Sequence, residues 1–376
     1  MQIKDETELS AAIRGANGPL RIVGGGTRGL DGPGEVLSVA GVSGVELYEP
    51  GALTMVAKAG TPVEEIEAAL AEQGQRLAFE PYFLRAGQTT IGGVMATNAS
   101  GPRRIQGGAA RDYLLGVRFV DGTGRVVQNG GRVMKNVTGY DMVKLMAGAR
   151  GTLGVLSEVS FKVLPLPETE ATLVLQGADG AQAVQAMSAA LGTPFDVSGA
   201  AHGPVQSAGA PTYVRLEGFE GSVRYRAAEL PKVLGAFGDI TVLDQADSAA
   251  AWTRVRDARD FAQHAYLARM SIRPSDCPAL LEVLGGWAAE CALDWGGGLV
   301  WVAAEGAQCV ALHRALQAFC AQTGGHATLM RAPGDVIPDL SILQPEPPGI
   351  AALTAGLRAQ FDPRGILNPG LSGNPA

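Results

Sequence analysis

Residues 88–101 read QTTIGGVMATNASG and residues 148–160 read GARGTLGVLSEVS. Glycine recurs there beside threonine, asparagine and serine. This composition lets a backbone come very close to a flat, phosphate-bearing ligand while hydroxyls and amides supply hydrogen bonds. It points to a bound dinucleotide. Gly92, Gly93 and Ala96 allow the close approach, and Thr90, Thr97 and Asn98 offer the hydrogen bonds. A short helix over this stretch would present its N-terminus to phosphate.

The same chemistry occurs upstream in GGGTRG, residues 24–29. Those residues match GxGxxG, but a Rossmann loop opens straight into a helix, and here LDGPG at 30–34 breaks one. An apolar strand over 20–23 leads into the loop and a second strand over 35–39 leaves it. Successive N–H groups of Gly24, Gly25, Gly26 and Thr27 can form an anion-binding nest, so phosphate binding is expected without a Rossmann fold. A glycine-rich hairpin is the competing reading of the loop taken alone.

Around these loops a helix is expected over 7–16 and strands near 45–48 and 54–57. Thr61-Pro62-Val63-Glu64 reads as a capping box with proline at the first helical position. It opens a helix to about 73, whose face of Val63, Ile66 and Leu70 covers a sheet. Strands over 113–120 and 125–127 are joined by the turn Asp121-Gly122-Thr123-Gly124. A helix over 140–147 turns Met142, Leu145 and Met146 inward, and a strand over 155–164 ends at Pro165 and Pro167. From Glu168 strands and helices alternate, which reads as one α+β domain on an antiparallel sheet, without internal repeats. A proline-rich stretch at 332–348 precedes a last helix over 350–361 and DPRGILNPG at 362–370. The organisation expected is a domain at 1–167, a second at 168–348, and a helix and tail at 349–376 returning to the first.

A chain of 376 residues is long for one core, and roughly 150 residues per domain suggests two or three. Hydrophobic residues make up 46%, ample for such cores, while charged residues make up 18% and the net charge is -7, so nucleic acid is set aside as a partner. The acidic, amphipathic start MQIKDETELSAAIRG lacks the basic end and apolar centre of a secretory signal. No run approaches the ~18 apolar residues that cross a bilayer, so a cytoplasmic location is expected, with membrane association only through partner subunits. Cys277, Cys291, Cys309 and Cys320 lack the short spacings of zinc or iron–sulfur sites and read as buried thiols. His202, His264, His313 and His326 are scattered, without ligand spacing.

The two glycine loops, followed in order by Arg111-Asp112, Gly139-Tyr140-Asp141, GTLGVLSEV and FDPRGILNPG, resemble the vanillyl-alcohol oxidase/p-cresol methylhydroxylase (PCMH) family of FAD-binding proteins. Within it the likeness is to the D-lactate/glycolate dehydrogenase branch. The resemblance implies an α+β protein, with a two-lobed PCMH-type FAD-binding domain and an α+β cap domain. Gly24, Gly25, Gly26 and Thr27 would cradle the pyrophosphate from one side. Thr90, Gly92, Gly93, Ala96, Thr97, Asn98 and Gly101 would hold pyrophosphate and flavin from the other. The backbone at Gly154 and Val155 would contact the cofactor, and Asn368 would sit near the flavin end. Some relatives tether the flavin through histidine or cysteine in these loops, where this chain has Thr27, Arg28, Ala99 and Ser100, so the FAD is expected to be noncovalent.

Catalytic hydroxyacid members carry a GDGNLH-like strand and an EHG-like motif that bind a divalent metal. The counterparts here are Trp295-Gly296-Gly297-Gly298-Leu299-Val300-Trp301 and Gly324-Gly325-His326-Ala327-Thr328, so no metal site is expected. The chain thus looks most like the FAD-binding subunit of bacterial glycolate oxidase. That resemblance implies electron transfer within a complex containing a paralogous flavoprotein subunit and an iron–sulfur subunit, with a small 2-hydroxyacid as substrate. The alternatives are a free-standing FAD-dependent alcohol or hydroxyacid dehydrogenase, and a structural subunit stabilised by FAD. Trp295 and Trp301 either face a partner or pack in the core. His264, before a strand over 265–272, is a candidate base, and Arg111 and Lys135 are candidates to stabilise a flavin anion. Arg254, Arg256, Asp257, Arg259 and Asp260 read as a solvated helix face.

Overall fold

The computed structural model describes residues 1–27, 32–133 and 139–371. The chain forms two compact units. Met1–Ser100, Gly108–Leu166 and Glu346–Ala376 make the first, and Gly101–Gly107 with Pro167–Pro345 the second.

The first unit opens with α1 (Glu6–Gly15), which Asp5 caps by accepting from Glu8 N at 2.8 Å, while Leu9 and Ile13 are buried one turn apart. β1 (Leu20–Val23) and β2 (Glu35–Ser38) then pair in parallel, Leu20 against Glu35. This removes the hairpin reading of the glycine run, because a hairpin turn returns its strand antiparallel. The other strands are β3 (Val45–Glu49), β4 (Thr54–Lys58), β5 (Gln75–Arg76), β6 (Leu114–Val120), β7 (Val126–Gly130), β8 (Val155–Lys162) and β9 (Leu164–Pro165). Five of them form an antiparallel sheet in the order β3-β4-β8-β6-β7, and β5 pairs with β9. β8 is central and buried at six of its eight residues, Ser157 and Ser160 included, as a strand flanked by neighbours on both sides would be.

The helices between these strands along the chain are α2 (Val63–Ala71), α3 (Ile91–Thr97), α4 (Arg104–Gly107), which belongs to the second unit, α5 (Ala110–Tyr113) and α6 (Met142–Met146). Val63, Ile66 and Leu70 of α2 are buried as expected, but the capping box does not form. Pro62 is the N-cap, and Thr61 Oγ1 donates to Lys58 O at 2.7 Å and accepts from Gly44 N at 2.9 Å. In α6 the buried residues are Val143 and Met146, because Asp141 starts the helix by capping Lys144 N at 3.0 Å and so rotates the inward face. Met142 and Leu145 are only half-buried.

The second unit contains β10 (Thr169–Gln176), α7 (Gly180–Leu191), β11 (Gly199–His202), β12 (Thr212–Gly218), α8 (Glu220–Leu234) and β13 (Asp239–Leu243). After α9 (Gln245–Arg256) come β14 (Tyr266–Ser271), α10 (Cys277–Leu284), β15 (Ala289–Asp294), β16 (Leu299–Ala304), α11 (Cys309–Thr323) and β17 (His326–Arg331). Each set reads βαββαβ, so the unit is an internal repeat that the residues do not advertise. The eight strands lie in the order β13-β10-β12-β11-β15-β16-β14-β17, and the halves meet through the pair His202 and Leu293. The repeat is one of topology, which needs only recurring apolar faces and not shared residues. The four cysteines are free and buried, and burial raises the thiol pKa to about 12 at Cys277 and Cys320 and about 11 at Cys291.

The chain returns to the first unit as α12 (Pro348–Phe361) and the motif at 362–370. Leu20 N donates to Ile366 O at 2.7 Å and Asn368 N to Leu20 O at 2.9 Å. Arg364 donates to Gly122 O at 2.9 Å, to Ala16 O at 3.1 Å and to Ile13 O, covering the last carbonyls of α1.

Candidate cofactor site

The two glycine loops are pressed together within the first unit. A Cβ on Gly24 would lie 2.3 Å from Thr90 Oγ1, and one on Gly25 would lie 1.5 Å from Gln88 O. Thr27 Oγ1 and Thr89 Oγ1 are hydrogen-bonded at 2.9 Å, and Gly26 has φ 71°. These glycines are required first by protein meeting protein. Among the described residues none accepts a hydrogen bond from the N–H groups of Gly24, Gly25 or Gly26. Three consecutive free donors on one partly exposed turn are what an anionic group needs. Arg28 lies outside the described residues.

α3 corrects one expectation. Its N-terminus is not open to phosphate, since Ile91 N donates to Thr61 O at 2.9 Å, Gly92 N to Ala59 O at 2.8 Å and Gly93 N to Thr90 Oγ1 at 3.3 Å. Gly92 is buried, and a Cβ there would meet Ala59 Cβ at 2.6 Å, so it serves packing. What α3 leaves accessible is the face formed by Gly93, Ala96 and Thr97, spaced three and four residues apart. Thr97 Oγ1 donates to Gly93 O at 2.7 Å, which leaves its lone pairs on that face. Asn98 ends the helix in the left-handed region, φ 49°, and its Oδ1 accepts from Arg111 N at 2.9 Å. Ser100 Oγ accepts from Ala110 N at 2.9 Å, which ties the end of the loop to α5.

The third block lies against the first two. Gly148 N donates to Met95 O at 3.1 Å and Arg150 N to Ala96 O at 2.8 Å, so residues 148–150 cover the C-terminal half of α3. The Asn368 side chain accepts from Ile22 N and donates to Arg150 O, both at 2.7 Å. Its amide is engaged by backbone at both ends, so Asn368 positions β1 and this block. Gly154 packs where a Cβ would lie 2.6 Å from Phe119 Cδ2, and the Val155 side chain belongs to the core with Leu9, Ile13 and Leu37. Contact with a cofactor there is left to their backbone. Arg150 and its neighbour Tyr82 were missed from the sequence. The available signal was a single charged residue inside a glycine-rich segment.

Gly101 belongs to the second unit, where its carbonyl accepts from Trp295 Nε1 at 3.0 Å. Arg104 and Arg269 stack on the Trp295 ring at 4.6 and 4.8 Å, and Arg103 forms a bidentate pair with Glu217. Trp295 and Trp301 are 7% and 3% exposed, so both pack in the core and neither faces a partner. His264 sits beside Glu290 at 3.7 Å and Phe261, just before the start of β14. The Trp295 turn lies at the other end, where Ser271 pairs with Leu299, so the length of β14, roughly 17 Å, separates them. That separation removes His264 from residues 101–107. His202 and His313 are buried, and burial pulls His202 down to about 4, while His326 is exposed. Of the charged run, Asp257 is buried between Arg256 and Arg259, so only part of it is a solvated face. Arg111 is exposed, with its carbonyl held by Lys144 Nζ, and Lys135 lies outside the described residues.

The residues present fit FAD: unpaired amides at 24–26 suit the diphosphate, and the small face at Gly93 and Ala96 admits a flat ring. A family model described as FAD binding domain matches residues 1–130. The solved structure of p-cresol methylhydroxylase with substrate bound superposes with a TM-score of 0.76 at 12% identity, covering 99% of this chain and 88% of that one. Alkyldihydroxyacetonephosphate synthase gives 0.72 at 16% identity, covering 98% and 76%. Fold and loops thus define an FAD-binding protein of the p-cresol methylhydroxylase type. Glycolate oxidase subunit GlcE of Escherichia coli (strain K12) is 36% identical over 370 residues, covering 94% of this chain and 92% of that protein. Glycolate oxidase subunit GlcD of Bacillus subtilis (strain 168) is 41% identical over 86 residues, covering 23% of this chain and 18% of that protein. The chain belongs to the glycolate oxidase subunit GlcE family.

Proposed function

We propose that this chain is the FAD-binding subunit of a glycolate (2-hydroxyacid) oxidase complex, working with a paralogous flavoprotein subunit and an iron–sulfur subunit. The observation that carries this reading is the apposition of Gly24 and Gly25 on Thr90 and Gln88, which leaves the 24–26 amides free beside the open face of α3. Bound FAD supplies the acceptor for the two electrons that leave a hydroxy carbon. The amides of Gly24, Gly25 and Gly26 bind the diphosphate. Gly93, Ala96 and Thr97 bear the ring system, and Asn98 and Ser100 fix the loop by their bonds to Arg111 N and Ala110 N. Ala99 and Ser100 offer no nucleophile of the kind that tethers a flavin, so the FAD is noncovalent. No described helix is long and apolar enough to cross a membrane, and any membrane association runs through the partner subunits.

The purified chain should release all its yellow colour on acid precipitation. Its FAD should stay oxidised with glycolate or D-lactate, whereas the chain assembled with both partner subunits should reduce an artificial acceptor. Bleaching of the isolated chain by glycolate at a useful rate would replace the subunit reading with a free-standing dehydrogenase.

A further inference from the structure

Arg150 is the one charged residue in GARGTLG, residues 148–154. It adopts a left-handed backbone, φ 54°, a conformation costly for any residue with a Cβ, between Gly148 at φ 92° and Gly151 at φ 74°. Its N–H is bound to Ala96 O at 2.8 Å, on the open face of α3. Its carbonyl is bound by Asn368 Nδ2 at 2.7 Å, and the same amide holds Ile22 N, two residues before Gly24. The three blocks of the cofactor site therefore meet at this residue, and strain is accepted there to hold an arginine where glycine would fit freely.

The side chain carries its charge into a poor place for one. Arg150 is half-buried, and desolvation lowers its pKa below the usual arginine range, opposed only by the Tyr82 phenol. Among the described residues no carboxylate pairs with it. A partly desolvated cation without a counter-charge weakens the empty protein and is relieved by an anion.

We propose that the Arg150 guanidinium is the counter-charge for an anionic group of the bound FAD. This rests on the FAD reading above. Two parts of the cofactor supply such a charge: the diphosphate, which is anionic throughout, and the flavin ring, which keeps a negative charge after taking up two electrons and one proton.

The test uses wild type, Arg150→Lys and Arg150→Met, with FAD affinity read by fluorescence, midpoint potential by dye-linked titration, and melting with and without FAD. If the diphosphate is the partner, Arg150→Met weakens FAD at least ten-fold, Arg150→Lys less, and the potential holds. If the reduced ring is the partner, affinity for oxidised FAD stays within two-fold. The potential then falls by about 30 mV for each ten-fold loss of preference for the reduced form. On either outcome the FAD-free Arg150→Met protein melts no lower than FAD-free wild type, because only an uncompensated charge has gone. Affinity and potential both unchanged would overturn the assignment. So would an FAD-free variant that melts lower while FAD stabilises it as much as wild type, which marks a structural role. Wild type that binds no FAD overturns the cofactor reading itself.

Discussion

Gly24, Gly25 and Thr90 show how a glycine can mimic a ligand contact. The Gly24 clash is with a side chain, at 2.3 Å from Thr90 Oγ1, and the Gly25 clash is with backbone, at 1.5 Å from Gln88 O. These differ in whether a second substitution can relieve them. Gly24→Ala should cost about 1–3 kcal/mol from overpacking. Thr90→Ala should cost about 1 kcal/mol from the lost cap on Gly93 N. The double variant should lose clearly less than the sum, because the atom in the way has been removed. Gly25→Ala should find no such rescue in Gln88→Ala, since the offending oxygen is backbone. Urea denaturation of the FAD-free protein gives the values for both pairs, and strict additivity for Gly24 and Thr90 would show that the loops do not meet as described.

Elements in this chain are legible where their hydrogen bonds are local and misread where they are not. The turn between β6 and β7 is local. Asp121 is buried and accepts from Thr123 N at 2.9 Å, Thr123 Oγ1 at 2.6 Å and Arg125 N at 3.0 Å, all within four residues. The start of α3 was misread because its acceptors, Ala59 O and Thr61 O, stand about thirty residues upstream. Thr61 likewise gave up its capping role to Gly44, seventeen residues away. The Asp121 turn also makes a pH prediction. Burial works to raise its pKa, but the hydrogen bonds from Thr123 and Arg125 outweigh it and hold the carboxyl below its ordinary value. With the folded pKa depressed, the stabilisation is full above the unfolded value, about 3.9, and is lost as pH falls through the folded one. Asp121→Asn should be less stable at pH 7 and lose less between pH 5 and pH 3 than wild type. Parallel stability curves for the two would contradict this account.

At the scale of the molecule, the family was legible because its blocks are each short, local in sequence and ordered, whereas the βαββαβ repeat was not, since no residue pattern is shared between its halves. DPRGILNPG lay between these cases: its presence identified the family, but its physical work is closure. Ile366 and Leu367 sit in one core with Leu9, Ile13, Leu20 and Leu37, and Asp362 Oδ2 accepts from Leu367 N at 2.7 Å to shape the turn. Arg364 covers the end of α1 and Asn368 holds Ile22 N, so the last described residues secure the strand that feeds Gly24. Asn368→Ala leaves Ile22 N and Arg150 O unpaired, at about 1–3 kcal/mol each. Because these partners all lie in the first unit, the damage should be confined there. Hydrogen exchange on Asn368→Ala should show faster exchange in β1 and β2, unchanged protection in β14 and β16, and weaker FAD binding as the Gly24 loop loosens. Equal loss of protection in β14 and β16 would mean that the tail stabilises the chain as a whole, and FAD affinity unchanged with β1 exposed would uncouple the tail from the glycine loop.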